Sequence, residues 1–198
     1  MHIQPIFTNF LAIEMLDLDN KSIEDYCLKL QSTSAGRQVS NAGGWQSSDL
    51  ELTATELKPL VDAVVERFNT LHEHYGFTST MHQEISNAWA NINQKGDYNL
   101  PHTHAGNFFS AVYYVKCDEQ SGPIEFMSPL ASHAHTIDGD MIQEFNEFNS
   151  NSWNVAPHAG KLIIFPSWLV HYVHANASDN TRISIAFNSK ICTVSSVG

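Results

Sequence analysis

Basic residues are scarce in this chain: Lys and Arg together number 10 against 21 Asp and Glu, a formal net charge of -11 over 198 residues. Binding to a nucleic-acid backbone is driven by basic groups that displace counterions, so no nucleic-acid partner is expected. Cysteine is scarcer still. Cys27, Cys117 and Cys192 are scattered and form no Cys-x-x-Cys pair, which argues against a disulfide framework or a thiolate zinc site. Reduced thiols in the cytoplasm are the expectation. No run approaches the roughly 20 apolar residues of a membrane span. Met1-His2-Ile3-Gln4-Pro5 offers no basic segment followed by an apolar one. A soluble, cytoplasmic protein without a membrane partner is therefore expected. Internal repeats, low-complexity tracts and Gly/Ser linkers are also missing, which predicts a single domain over residues 1–198.

What is present is a core-forming composition, 42% hydrophobic, enough to bury a real interior. Residues 3–16 look like one or two strands. Residues 22–30 read as a short helix, with Ile23, Tyr26, Cys27 and Leu30 at helical spacing. Residues 31–49, rich in Ser, Gly, Asn and Gln, read as loop. Thr53 with Glu56 three positions on has the form of a capping box. Beyond it, Leu57, Leu60, Val61, Val64, Phe68 and Leu71 make the apolar stripe of a helix that should reach His74 and stop at Gly76. Strand-like runs then follow at 89–93, 109–116, 123–127, 161–165, 171–173 and 182–188. Two helices before a succession of short strands predict an α+β, mainly β jelly roll with the helices packed outside.

The strongest local signal for chemistry is His102-Thr103-His104. Residues i and i+2 of an extended chain share a face, so both imidazoles can reach one metal ion. An isolated His-x-His is more often solvated or structural, and the chain has a second one at His133-Ala134-His135. A third ligand candidate is His171, after Phe165-Pro166-Ser167-Trp168-Leu169-Val170; His174 would face the other way.

In Arg182-Ile183-Ser184-Ile185-Ala186-Phe187-Asn188, alternation puts Arg182, Ser184, Ala186 and Asn188 on one face. A buried guanidinium needs an anionic partner. Either an internal carboxylate supplies it, with Glu125 the first candidate, or a bound carboxylate does, gripped bidentately. On the aromatic run, Ser110, Val112 and Tyr114 share a face. Ser110 and Tyr114 offer hydroxyls to the same carboxylate, unless they are ordinary sheet filler.

Asn41-Ala42-Gly43-Gly44-Trp45-Gln46-Ser47, Gly96-Asp97-Tyr98-Asn99-Leu100-Pro101-His102-Thr103-His104, Phe109-Ser110-Ala111-Val112-Tyr113-Tyr114-Val115 and Phe165-Pro166-Ser167-Trp168-Leu169-Val170-His171 resemble motifs of a family of iron(II)/2-oxoglutarate oxygenases. That family occurs in bacteria and tailed phages and is distantly similar to prolyl hydroxylases. The resemblance covers roughly residues 38–190, with the motif-bearing core at about 85–190. It implies a double-stranded β-helix, cupin-like, holding Fe(II). His102 and His171 would match the two histidine ligands and Arg182 the residue that pairs with the far carboxylate of 2-oxoglutarate. Tyr114, Ser110 and Ser184 fall where assisting residues occur. One position departs from the wider superfamily, whose facial triad is two histidines and a carboxylate: the third place is His104. An imidazole there leaves the iron site one charge more positive. A working three-histidine site (His102, His104, His171), a carboxylate from elsewhere such as Asp97, and a degraded catalyst are the competing explanations.

The implied activity is hydroxylation of a C–H bond of a peptide, amino acid or other small substrate, using O2 and 2-oxoglutarate and releasing succinate and CO2. Residues 128–154 are long enough for a lid or substrate loop. A homodimer is compatible with this reading. Two rivals stand beside it: a three-histidine cupin-like dioxygenase that does not use 2-oxoglutarate, and a non-catalytic ligand-binding jelly roll.

Overall fold

A computed structural model describes residues 1–6, 8–130 and 138–194. The second His-x-His, His133 and His135, lies outside these residues, as does part of the expected substrate loop. Among the described residues two α-helices are present. α1 (Asn20–Thr33) begins where Asp19 Oδ1 accepts the amide of Ser22 at 3.1 Å, and it buries Ile23 and Cys27. α2 (Lys58–His74) buries Leu60, Val61, Val64 and Phe68. The capping box does not form. Thr53 instead donates its hydroxyl to Glu51 at 2.6 Å, and α2 starts later, with Pro in its first turn and no side-chain cap. Proline suits that position, because its missing N–H would have had no partner there.

The strands among the described residues are β1 (Ala12–Met15), β2 (Asn41–Ala42), β3 (Trp45–Gln46), β4 (Met81–Asn93), β5 (Tyr98–His102), β6 (Phe109–Lys116), β7 (Ile124–Met127), β8 (Ser152–Val155), β9 (Lys161–Pro166), β10 (His171–Val173) and β11 (Arg182–Thr193). They form two antiparallel sheets: six strands in the order β1-β9-β6-β11-β4-β3, and five in the order β2-β5-β10-β7-β8. Within the expected N-terminal strand region only β1 is extended, held by β9.

Period-2 alternation explains the layering. On β11, Ile183, Ile185 and Phe187 face α1 and α2, with Ala111, Tyr113 and Val115 of β6 beside them. The opposite face of β6, with Val112 and Tyr114, turns toward the second sheet and meets Ile124, Phe126 and Phe165. The helices therefore cover the outside of the six-stranded sheet, as expected, and leave the space between the sheets for a site.

Candidate active site

Three imidazoles converge at the mouth of that space. His102 ends β5 and His171 opens β10, and the two are direct cross-strand neighbours. His104 lies just beyond the strand, rather than on it as the spacing predicts. Its backbone amide donates to Ser167 O at 2.9 Å, which ties the loop after β5 to the bend after β9 and turns the ring inward. One nitrogen from each of the three rings lies within 4.8 Å of the others, the one such group of possible ligands among the described residues.

The local hydrogen bonds prepare these rings for a metal. His102 Nδ1 lies 2.6 Å from Leu100 O, and His171 Nδ1 lies 2.9 Å from Leu169 O. A carbonyl only accepts, so Nδ1 carries the proton and Nε2 is left as the ligand atom. His104 Nε2 and His171 Nε2 are 3.2 Å apart. Two imidazole nitrogens each about 2.1 Å from one ion sit roughly 3–3.4 Å apart, so the spacing fits shared coordination. Burial, with the neighbouring His102, holds His171 down to about 3 and His104 down to about 4, and burial also lowers His102. All three are neutral at neutral pH and open to a metal without competition from protons. Trp89, its ring centroid 5.5 Å from that of His104, and Phe165, 4.6 Å from His171, wall the cluster. Asp97, the alternative carboxylate, is elsewhere: its Oδ2 accepts the amide of Gln94 at 2.7 Å within its own turn.

Deeper between the sheets lies Arg182, 1% exposed. Its Nη1 donates to the carbonyls of Ser121, Gly122 and His174. Gly122 permits this contact. Its φ is +75°, and a Cβ there would stand 2.7 Å from His174 O. Glu125 is not the partner of Arg182, since it pairs with His174 at 2.7 Å. Among the described residues Arg182 Nη2 has no partner, nor has the Tyr114 hydroxyl, which burial keeps protonated. Asn93, opposite Arg182 on β4, has an unpaired buried Nδ2, and Asn91 an unpaired Oδ1. These side chains and Ser184 line one cavity with the three histidines. Unpaired buried donors are costly. A carboxylate reaching Arg182 Nη2 and the Tyr114 hydroxyl would satisfy both.

Ser110 requires a correction. Its hydroxyl lies 2.8 Å from Ser167 Oγ and 2.8 Å from Asn188 Oδ1. It lies on the cavity side of β6, but its hydroxyl is spent on bracing the sheet next to the histidine bend, and it is not among the residues that line the cavity. Asn91, Asn93 and Trp89 were missed in the sequence, although the alternation of Trp89-Ala90-Asn91-Ile92-Asn93 already puts them on one face.

Comparison with known proteins agrees with this geometry. The family described as "Putative 2OG-Fe(II) oxygenase" matches residues 87–188. No curated relative matches the sequence. Among solved structures, a Pseudomonas putida prolyl-4-hydroxylase superposes with a TM-score of 0.65 at 13% identity, covering 92% of this chain and 93% of that one. A Trichoplax adhaerens prolyl hydroxylase, in complex with a hypoxia inducible factor peptide fragment, gives 0.63 at 14%, covering 92% and 84%. HygX from Streptomyces hygroscopicus, with nickel and 2-oxoglutarate bound, gives 0.59 at 11%, covering 92% and 83%. The fold is thus that of the double-stranded β-helix oxygenases.

Proposed function

Because the chain belongs to the 2OG-Fe(II) oxygenase family, we propose that it hydroxylates a C–H bond of a peptide, amino acid or other small substrate, with release of succinate and CO2. The observation that carries this reading is the pairing, in one cavity, of three neutral imidazoles with an Arg182–Tyr114 donor set to which no carboxylate is hydrogen-bonded among the described residues. In this proposal His102, His104 and His171 hold Fe(II), and the ion with 2-oxoglutarate supplies the oxidising power for O2 chemistry. Arg182 grips the far carboxylate of 2-oxoglutarate as a planar fork. Tyr114 donates its hydroxyl to the same group, and Ser184, Asn91 and Asn93 line its path. Trp89, Phe126 and Phe165 exclude water around the ligands. We place the activity in the cytoplasm.

The test is anaerobic titration of the Fe(II)-loaded protein with 2-oxoglutarate, followed by exposure to O2 and measurement of succinate. A weak visible charge-transfer band and slow substrate-free succinate formation are expected. Iron binding with indifference to 2-oxoglutarate would instead favour a three-histidine dioxygenase in which Arg182 binds the substrate's own carboxylate.

A further inference from the structure

The row of neighbours that carries the metal ligands continues past His171. On the five-stranded sheet His102 faces His171, His171 faces Phe126, and Phe126 faces Trp153. Directly opposed residues share a face of a sheet. Trp153 therefore lies on the same side as the ligands, on the edge strand β8. Two strand spacings separate it from His171, about 10 Å, with the Phe126 ring as the floor between them. Phe126 in this row is 3% exposed, whereas Trp153 is 46% exposed. What sets Trp153 apart from other exposed aromatics is this place in the row: it presents an amphipathic ring on the ligand side of the sheet.

The sequence that flanks it favours a cation. Residues 117–160 contain no Lys or Arg. The connection from β7 to β8 closes where Ser128 N donates to Asn151 O at 2.8 Å. Just before that neck stands Glu144-Phe145-Asn146-Glu147-Phe148-Asn149, one tripeptide twice over. Each Asn folds the turn: Asn146 Oδ1 accepts the amide of Phe148, and Asn149 accepts the amide of Asn146 while donating to Glu144 O. Both carboxylates and both phenyl rings are left exposed.

We propose that Trp153 determines specificity for the primary substrate, and that this substrate is an organic cation: an ammonium or guanidinium on an aliphatic stem, as a free amino acid or as a residue of a peptide. The indole face attracts the charge and covers the stem, and Glu144 and Glu147 draw cations toward the cleft. The inference rests on the oxygenase reading for where the reacting carbon must sit.

Isothermal titration calorimetry tests it on the protein loaded anaerobically with Fe(II) and 2-oxoglutarate, and on the unloaded protein. The probes are Nα-acetyl-lysine amide, Nα-acetyl-arginine amide, a short peptide with one central Lys, and the norleucine counterparts of the lysine probes. A cationic probe should bind about tenfold more tightly than its norleucine counterpart, and Trp153→Ala should weaken it by about tenfold. Trp153→Phe should keep part of the affinity. Trp168→Ala, a similarly exposed indole at 48% but off the row, should change nothing. Glu144→Gln with Glu147→Gln should weaken binding about two- to threefold and reduce its salt dependence. With free lysine as one further probe, preference for the peptide identifies a side chain within a chain as the source, and preference for free lysine identifies the free amino acid. Equal binding of norleucine and lysine probes, full affinity in folded Trp153→Ala, or no binding of any cationic probe overturns the proposal. Calorimetry needs no turnover: cation binding through Trp153 without succinate formation would sink only the oxygenase reading, and succinate formation with indifference to cations would sink only this one.

Discussion

Tyr113 and Tyr114 are consecutive on β6 and face opposite ways, both essentially buried. Tyr113 packs toward the helices and donates its hydroxyl to Asn20 Oδ1 at 2.6 Å. Tyr114 faces the space between the sheets and donates to nothing. The same split runs along β11, where Ile183, Ile185 and Phe187 meet the helices while Arg182 keeps one Nη free. The strand residues on one face of the six-stranded sheet are largely finished on folding, whereas the other face is left chemically incomplete, with Tyr114, Arg182, Asn91 and Asn93 each short of a partner. Native cores satisfy their buried polar groups, so a cluster of such atoms around one cavity marks where a ligand belongs.

Substitutions on the two faces should separate stability from binding. Phe187→Ala, on the finished face, should cost about 3–5 kcal/mol of stability, read from the denaturant midpoint, while the folded fraction keeps its affinity for 2-oxoglutarate. Arg182→Ala, on the incomplete face, should cost about 2–4 kcal/mol of 2-oxoglutarate binding by calorimetry. Arg182→Lys should restore only part of that, since a point charge cannot reproduce the fork.

Acid should act from the opposite wall of the same cavity, on the five-stranded sheet. His171 and His104 are held down to about 3 and about 4 in the folded protein, against about 6.5 in an unfolded chain. Between these values the unfolded state binds more protons, so stability rises with pH there. Their contribution is complete above about pH 6.5 and is lost as pH falls toward 3. Melting curves of metal-free protein across this window should show the slope, and His171→Ala should flatten it.

The smallest effects come from the tyrosine pair. Tyr114→Phe should weaken 2-oxoglutarate binding by about 0.5–1.5 kcal/mol without lowering the melting temperature of the ligand-free protein. Tyr113→Phe should cost a similar amount of stability and no affinity. Ser110→Ala belongs with Tyr113: about 1 kcal/mol of stability from the Ser167 and Asn188 bonds, with binding unchanged.

Strand positions were readable because alternation is a local signal: β6 and β10 fall on the residues expected, and the two faces of β11 sort as the pattern predicts. The convergence of His102 and His171 was suggested only by the order of motifs, since no local rule pairs β5 with β10. What the sequence hid was set by three-dimensional neighbours. Ser110 and Tyr114 share a face, but only Ser110 has Ser167 and Asn188 within reach. Glu125 looked available to Arg182 until β10 brought His174 beside it. The helix start moved because Pro near its beginning outweighed the Thr53–Glu56 spacing.

The two carbonyls that fix the histidine tautomers belong to Leu100 and Leu169, each two residues before the ring it orients. Main-chain oxygen is common to every amino acid, so no single codon change can delete either acceptor. The orientation of these two ligands is thereby insulated from point mutation, and genetic variation can reach it only by displacing the backbone itself. The walls of the cavity carry no such protection, which leaves them free to diverge toward new substrates while the centre stays in place.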